Sequence, residues 1–282
     1  MVQQPLPVIV SIATLPSRIG DLRPTLESLL DGDLVPDRIL VIVTERSERE
    51  NCGYVIPDFL ADECFTRGII EVVVASRDWG PGTKLLGALE HITDKCYLIL
   101  ADDDVVYRRQ FLSILVTSQS ANLGCSFSYF TYRTDGLTIG QGCDGFSFYS
   151  PNLEGVREFA TKHVVSTSLM YHDDLWISFF LFKTGIKVVL AKPPVTGELV
   201  YSQHLPNDGL SSIASGELVR DKIVHDGLPR LIRQCELNAW KRASLFGSKM
   251  RDLLLRFATS VVHRTSGIFA RKRRKEAGQS PE

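Results

Sequence analysis

Tyr97-Leu98-Ile99-Leu100-Ala101-Asp102-Asp103-Asp104 is the stretch that decides the fold. Five apolar residues without polar alternation read as a strand covered on both faces, and such strands belong to parallel sheets with helices on either side. Three upstream runs, residues 8–13, 39–43 and 69–74, have the same continuous apolar character. Helices are expected between them. After the turn Thr14-Leu15-Pro16-Ser17-Arg18, Asp21 is placed to cap a helix that buries Leu22, Leu26, Leu29 and Leu30. Gly80-Pro81-Gly82 breaks the chain before a second helix with Leu85, Ala88, Leu89 and Ile92 on one side, and a third is expected over 108–118. Strand-helix alternation of this kind implies an α/β fold: a Rossmann-like, mostly parallel central sheet with helices on both faces. The second half is less regular. Residues 126–132 and 187–190 read as strands, and a helix over 174–184 should stop at Gly185.

The chain has 282 residues, 44% of them hydrophobic and 23% charged, which excludes global disorder, collagen and coiled coil. No run approaches the roughly 18 to 20 apolar residues of a membrane-spanning helix. Nothing before residue 14 reads as a signal peptide, so a cytoplasmic protein is expected. The six cysteines are scattered without a Cys-x-x-Cys pair and read as isolated thiols. Charge is uneven along the chain: residues 1–240 hold 21 basic and 30 acidic side chains, whereas 241–282 hold 11 basic and 3 acidic. An acidic body is a poor general nucleic-acid surface, because duplex affinity rests on cationic neutralisation of phosphates. No internal repeat or flexible linker precedes residue 240, so one domain is expected over 1–235, followed by a helical, basic tail over 236–282.

On an extended strand end Asp102 and Asp104 would point one way and Asp103 the other. Two carboxylates near 4 Å apart repel by roughly 1 to 4 kcal/mol, so a positive group should sit between them. A hard divalent cation with oxygen ligands, Mn²⁺ or Mg²⁺, that also holds a diphosphate answers that need. The alternative is an acidic loop that caps the next helix.

With these residues in place the chain resembles GT-A type glycosyltransferases, close to the family 2 group. The resemblance rests on four features in order over residues 8 to about 210: the Thr14–Arg18 turn after the first strand, the acidic Glu45 after the second, the Gly-Pro-x-x-Lys segment at 80–84, and the Asp-x-Asp pattern after the fourth. It implies a nucleotide-sugar donor, UDP-linked by preference, bound by a half comprising residues 1–104, and an acceptor half over 105–235. Ala13, Thr14, Arg18 and Glu45 match positions that hold the nucleoside, with Asp102 and Asp103 beside the ribose or metal waters. The metal would be held by Asp104 and Asp102, and a late histidine, His204, would complete its shell. His91, His163, His225 and His263 read as surface residues.

Lys84 opens a helix, where backbone N–H groups and one ammonium make an anion site, so a contact to the diphosphate or the uridine edge is expected; a solvated helix lysine is the alternative. Asp78 and Trp79 precede that turn, Trp79 reading equally well as core. His172-Asp173-Asp174-Leu175-Trp176 matches the acidic pair that such enzymes carry at a helix start on the acceptor side, with Asp in place of the usual Glu. Asp174 is expected to be the base that takes the acceptor hydroxyl's proton and Asp173 to position the acceptor. Helix capping is the competing role for both. Gly142-Cys143-Asp144-Gly145-Phe146 resembles the glycine-containing acceptor-side loop, where Asp144 serves a turn or a sugar hydroxyl.

The expected activity is metal-dependent transfer of a sugar from a nucleotide diphosphate sugar to a glycan or lipid-linked acceptor, in polysaccharide or glycoconjugate biosynthesis. Inversion is favoured over retention. Two rivals are an Asp-nucleophile phosphohydrolase and a non-catalytic nucleotide- or glycan-binding protein. In the tail, Leu254, Phe257, Ala258, Val261 and Val262 share a helical face ahead of Arg271-Lys272-Arg273-Arg274-Lys275. That pattern would suit peripheral contact with anionic lipid on the inner face of a membrane, or a helix packed on the body with a solvated end.

Overall fold

The computed structural model describes residues 6–143, 145–165, 167–191, 201–205 and 216–235, with 237, 241, 244 and 245. The chain divides into two units, 1–133 with 138–235, and 134–137 with the residues after 235; the sheet and the cleft discussed below belong to the first. In chain order the elements are β1 (Val8–Ala13), α1 (Arg23–Leu30), β2 (Arg38–Thr44), α2 (Glu63–Thr66), β3 (Ile70–Ala75), α3 (Thr83–Leu86), β4 (Tyr97–Ala101), β5 (Val105–Tyr107) and α4 (Phe111–Ala121). They continue with β6 (Cys125–Ser128), β7 (Thr131–Thr134), β8 (Leu137–Gly140), β9 (Phe146–Tyr149), α5 (Val156–His163), α6 (Asp173–Thr184), β10 (Lys187–Leu190), β11 (Tyr201–His204) and α7 (Gly216–Gln234).

Seven strands form one sheet in the order β10-β6-β9-β4-β1-β2-β3. All neighbouring pairs are parallel except those of β9, which runs antiparallel to β4 and β6. The four apolar runs read from the sequence are β1 to β4, and both faces of the central strands are buried: Val8, Val10 and Ile12 are covered on one side, Ile9 and Ser11 on the other. Leu22, Leu26, Leu29 and Leu30 pack under one face with Ile39, Val41, Ile99 and Leu115. Chain direction is what positions the site. From β1 the order steps to β2 and β3 on one side and to β4 on the other, and such a reversal opens a crevice at the carboxyl ends of the strands. Ile12 lies beside Ala101 in the β1–β4 register, so Ala13 and Thr14 emerge next to the aspartate triplet.

Several local expectations change. Asp21 ends a short 3₁₀ turn over Ile19–Asp21, and α1 starts from Leu22 with no side-chain cap. The helix after Gly82 is one turn, because a second 3₁₀ turn begins at Ala88. At Gly87 a Cβ would lie 2.6 Å from Ile42 and 2.7 Å from the Thr83 carbonyl, so the backbone lies directly on the sheet there. The helix expected over 108–118 runs from Phe111 to Ala121. The strand expected over 126–132 is two strands, and β9 was not anticipated. Gly185 does end α6, in the left-handed conformation at φ 94°. All six cysteines are free. His163 is buried against Phe159 rather than exposed. Among the described residues no helix is long and apolar enough to cross a membrane, and the tail motifs lie outside the described residues.

Candidate active site

A cleft opens at the carboxyl ends of β1, β2 and β4. Ala13, Thr14, Arg18, Lys84, Asp102, Asp103, Asp104, Asp173 and Asp174 line it together, so the structure gathers nine of the eleven expected site residues in one place. The first half supplies the floor and the start of α6 supplies the far wall.

The triplet does not alternate. β4 ends at Ala101, the chain turns at once, and all three residues line the cleft, Asp103 with its carboxyl buried. Their separation is by cation instead. Arg18 reaches Asp103 at 3.0 Å and Asp104 at 3.6 Å, while Lys84 Nζ lies 2.7 Å from Asp102 Oδ1. The turn is tied down from three sides: Thr25 Oγ1 donates to the Asp103 carbonyl, the Asp102 amide donates to the Tyr107 hydroxyl, and the Leu205 amide donates to the Asp104 carbonyl. The last bond belongs to the pairing of β11 with β5, which sets the backbone of His204 opposite Val105. The side chain of His204 lies outside what the structure describes. Burial pushes the Asp103 carboxyl up to about 6, against the pull of Arg18.

Lys84 is where the sequence reading changes most. Its side chain is 7% exposed, and beyond Asp102 the ammonium lies 3.3 Å from Asp173 Oδ2. Burial alone would pull this amine down, but the carboxylates of Asp102, Asp173 and Asp174 outweigh it and hold the lysine protonated. It is an internal counter-ion and not a solvated helix lysine.

Asp173 and Asp174 occupy the first turn of α6, and His172 before them makes no side-chain cap. Both are buried. The Gly142 amide donates to Asp174 Oδ1 at 2.8 Å. Burial, reinforced by the neighbouring Asp173, pushes the Asp174 carboxyl up to about 8, with Lys84 and the Gly142 amide opposing. Leu175 to Leu181 behind them are buried without a gap and form core, as their sequence implies.

Glu45 is the departure on the donor side. It is exposed on the bend after β2 and does not line the cleft, because the chain turns there and brings Glu48, Arg49 and Tyr54 over the site instead. Tyr54 donates to the Thr14 carbonyl at 2.8 Å, and Asp78 accepts from the Glu48 and Gly80 amides, which closes this loop against the turn before α3. Trp79 is buried and absent from the lining. Asp144 lies outside the described residues. Tyr107, Met170, Tyr171 and His172 were missed or passed over as site residues. The signal for Tyr171 and His172 was their adjacency to the acidic pair; for Tyr107 there was none.

The donor set fits a divalent cation. Six aspartates line the cleft beside two buried or half-buried cations, Arg18 and Lys84. Among the described residues no three His, Cys, Asp or Glu side chains converge as a ready cage. Mg²⁺-like ions are commonly held by one or two carboxylates together with substrate phosphates, so an incomplete carboxylate set is the expected form.

No protein-family model matches the sequence, and a comparison with curated proteins finds no match. Among solved structures, the chain is similar to the mannosyltransferase PcManGT from Pyrobaculum calidifontis in complex with GDP-Man and Mn²⁺, at 16% identity and a TM-score of 0.52, over 95% of this chain and 81% of that one. The α/β fold described above is therefore one that a glycosyltransferase also has.

Proposed function

We propose that this protein is a divalent-metal-dependent glycosyltransferase that moves a sugar from a nucleotide diphosphate sugar to a hydroxyl of a glycan or glycolipid, with inversion at the anomeric carbon. The observation that carries the reading is the facing of two acidic groups across one cleft, the Asp102–Asp104 triplet at a strand end and the Asp173–Asp174 pair at a helix start. The first suits a metal and a diphosphate, the second a proton transfer. The fold shared with a mannosyltransferase supports it. An Asp-nucleophile phosphohydrolase gains no support, since such enzymes usually carry the motif after their first strand and here it follows β4.

In this reading residues 1–104 hold the donor, with Ala13, Thr14, Arg18 and Asp103 around the nucleoside and diphosphate, and residues 105–235 hold the acceptor. Asp104 and Asp102, with His204, would ligate Mn²⁺ or Mg²⁺, which when bound stabilises the negative charge of the departing diphosphate. Arg18 keeps Asp103 and Asp104 in place for that task. Asp174 takes the proton of the acceptor hydroxyl as that oxygen attacks from the face opposite the diphosphate. A carboxyl pushed up to about 8 is a stronger base once ionised than an ordinary aspartate, and it is still ionised in part at neutral pH. The basic tail would bring the enzyme to an anionic membrane surface where lipid-linked acceptors lie.

Calorimetric titration of UDP- and GDP-linked sugars with and without Mn²⁺ tests this. One donor should bind at least tenfold tighter with Mn²⁺; absence of metal-dependent binding across the panel would sink the proposal. The neighbour's donor carries guanine, so the panel gives both bases equal weight. Proton NMR of the product's anomeric signal decides between inversion and retention.

A further inference from the structure

We infer that Lys84 is a positioning residue, a buried cationic clamp that holds the candidate base pair of α6 against the donor-side carboxylate Asp102, and that it does not bind the donor's phosphates. The inference rests on the proposed glycosyltransferase reading and names the residue that joins its two halves.

The geometry leaves little of the ammonium for a ligand. It has three donors. One is directed to Asp102 Oδ1 at 2.7 Å, and Asp173 Oδ2 lies 3.3 Å away as an ion-pair partner without a hydrogen bond. The remaining flank is closed by backbone, since a Cβ added to Gly142 would lie 3.0 Å from Nζ, 3.4 Å from Lys84 Cε and 3.2 Å from Asp174 Oδ1. The main chain of the lysine is fixed as well. Its carbonyl accepts from Ser11 Oγ at 2.5 Å, which pins the start of α3 to the central strand β1. The ammonium sits on the cleft wall with its side chain 7% exposed, and its nearest partners are protein carboxylates.

Four elements meet at this cation: α3 brings it, the end of β4 brings Asp102, the start of α6 brings Asp173 and Asp174, and Gly142 brings the amide that holds Asp174. Without it, three carboxylates would stand together with no internal counter-charge, and a buried uncompensated charge forces side chains to move apart or take up protons. The clamp thus fixes the distance between the group that assists departure and the group that assists attack. A displacement of 1 Å there is enough to cost about a hundredfold in rate. Gly142 belongs to the same unit, because any side chain at that position pushes on both Lys84 and Asp174.

The test uses the full chain, Mn²⁺, and UDP and GDP as binding probes, then turnover of whichever nucleotide sugar binds, with water as the acceptor. For Lys84→Met the diphosphate Kd at saturating Mn²⁺ and the donor KM should stay within threefold of the parent protein, while kcat falls at least a hundredfold. Gly142→Ala keeps every charge and should lower kcat at least tenfold with the donor Kd unchanged, which guards against a Lys84→Met chain that does not fold. A tenfold or greater loss of diphosphate affinity with kcat retained would make Lys84 a phosphate ligand and overturn the clamp. Parent-like kcat in both variants would overturn it too. Failure of the parent protein to bind any nucleotide with metal counts against the functional reading instead. The clamp is then decided by a Lys84→Met structure, in which Asp102 and Asp173 must separate.

Discussion

At the end of β4 the side chains of Asp102 and Asp104 keep 29% and 23% of their surface in solvent; Asp102 meets Lys84, and Asp104 shares Arg18 with the buried Asp103. At the start of α6, Asp173 and Asp174 are buried, and Lys84 is the one cation among the charge partners of Asp174. The residue type is the same in both places. What differs is access to water and the ratio of carboxylates to cations, and at Asp174 burial beside Asp173 pushes the carboxyl up. In the proposed reading the open group suits a cation and the closed group a proton transfer.

Three measurements would break or sharpen this contrast. The largest effect is expected at the buried pair: Asp174→Asn should lower kcat by about 10²- to 10⁴-fold, the range that general-base assistance supplies, while the donor Kd stays within threefold. A fully active variant would remove Asp174 from the mechanism and leave the two groups without a division of labour. At the open group, Asp104→Asn should weaken nucleotide diphosphate binding in Mn²⁺ by about tenfold or more, and titration without metal should show little change. Equal losses with and without Mn²⁺ would mean that Asp104 acts on the nucleotide directly.

The smallest effect is on stability. The Asp174 carboxyl is pushed up to about 8 in the fold, and an aspartate in an unfolded chain titrates at about 3.9. Between those values the native state binds the extra proton, so stability falls as pH rises through the window and is fully regained below it. Asp103, pushed up to about 6, acts in the same direction over a narrower range. The thermal midpoint should therefore drop by a few degrees between pH 5 and pH 9 through these groups, and Asp174→Asn should flatten that slope. An unchanged slope in the variant would show that Asp174 stays ionised across this range.

How much of this was legible in the sequence follows from how local each signal is. The runs that became β1 to β4 are continuous and apolar, a pattern that any parallel strand buried on both faces must show, and their order placed Asp102 to Asp104 at the sheet's open end. Asp173 and Asp174 could be placed at a helix start from their neighbours alone. β9 was not visible, because Phe146–Tyr149 is four residues long and earns its place by pairing antiparallel with β4 and β6, far away in sequence. Glu45 was chosen by its distance from a strand end, yet the bend after Thr44 turns it outward and carries Glu48 over the cleft. Lys84 was recognised as important, but its carboxylate neighbours were not legible, because the fold delivers them from residues 102 and 173, far away in sequence.

The hydroxyl of Tyr107 accepts from the Asp102 amide at 2.9 Å and donates to the Cys143 carbonyl at 3.2 Å. One oxygen atom thereby splices the peptide that leaves the sheet to the peptide that shapes the opposite rim. The rim loop cannot swing away without stripping a partner from that peptide. The same phenol is stacked on Phe111 at 4.0 Å, which ties both rims to the packing of the interior.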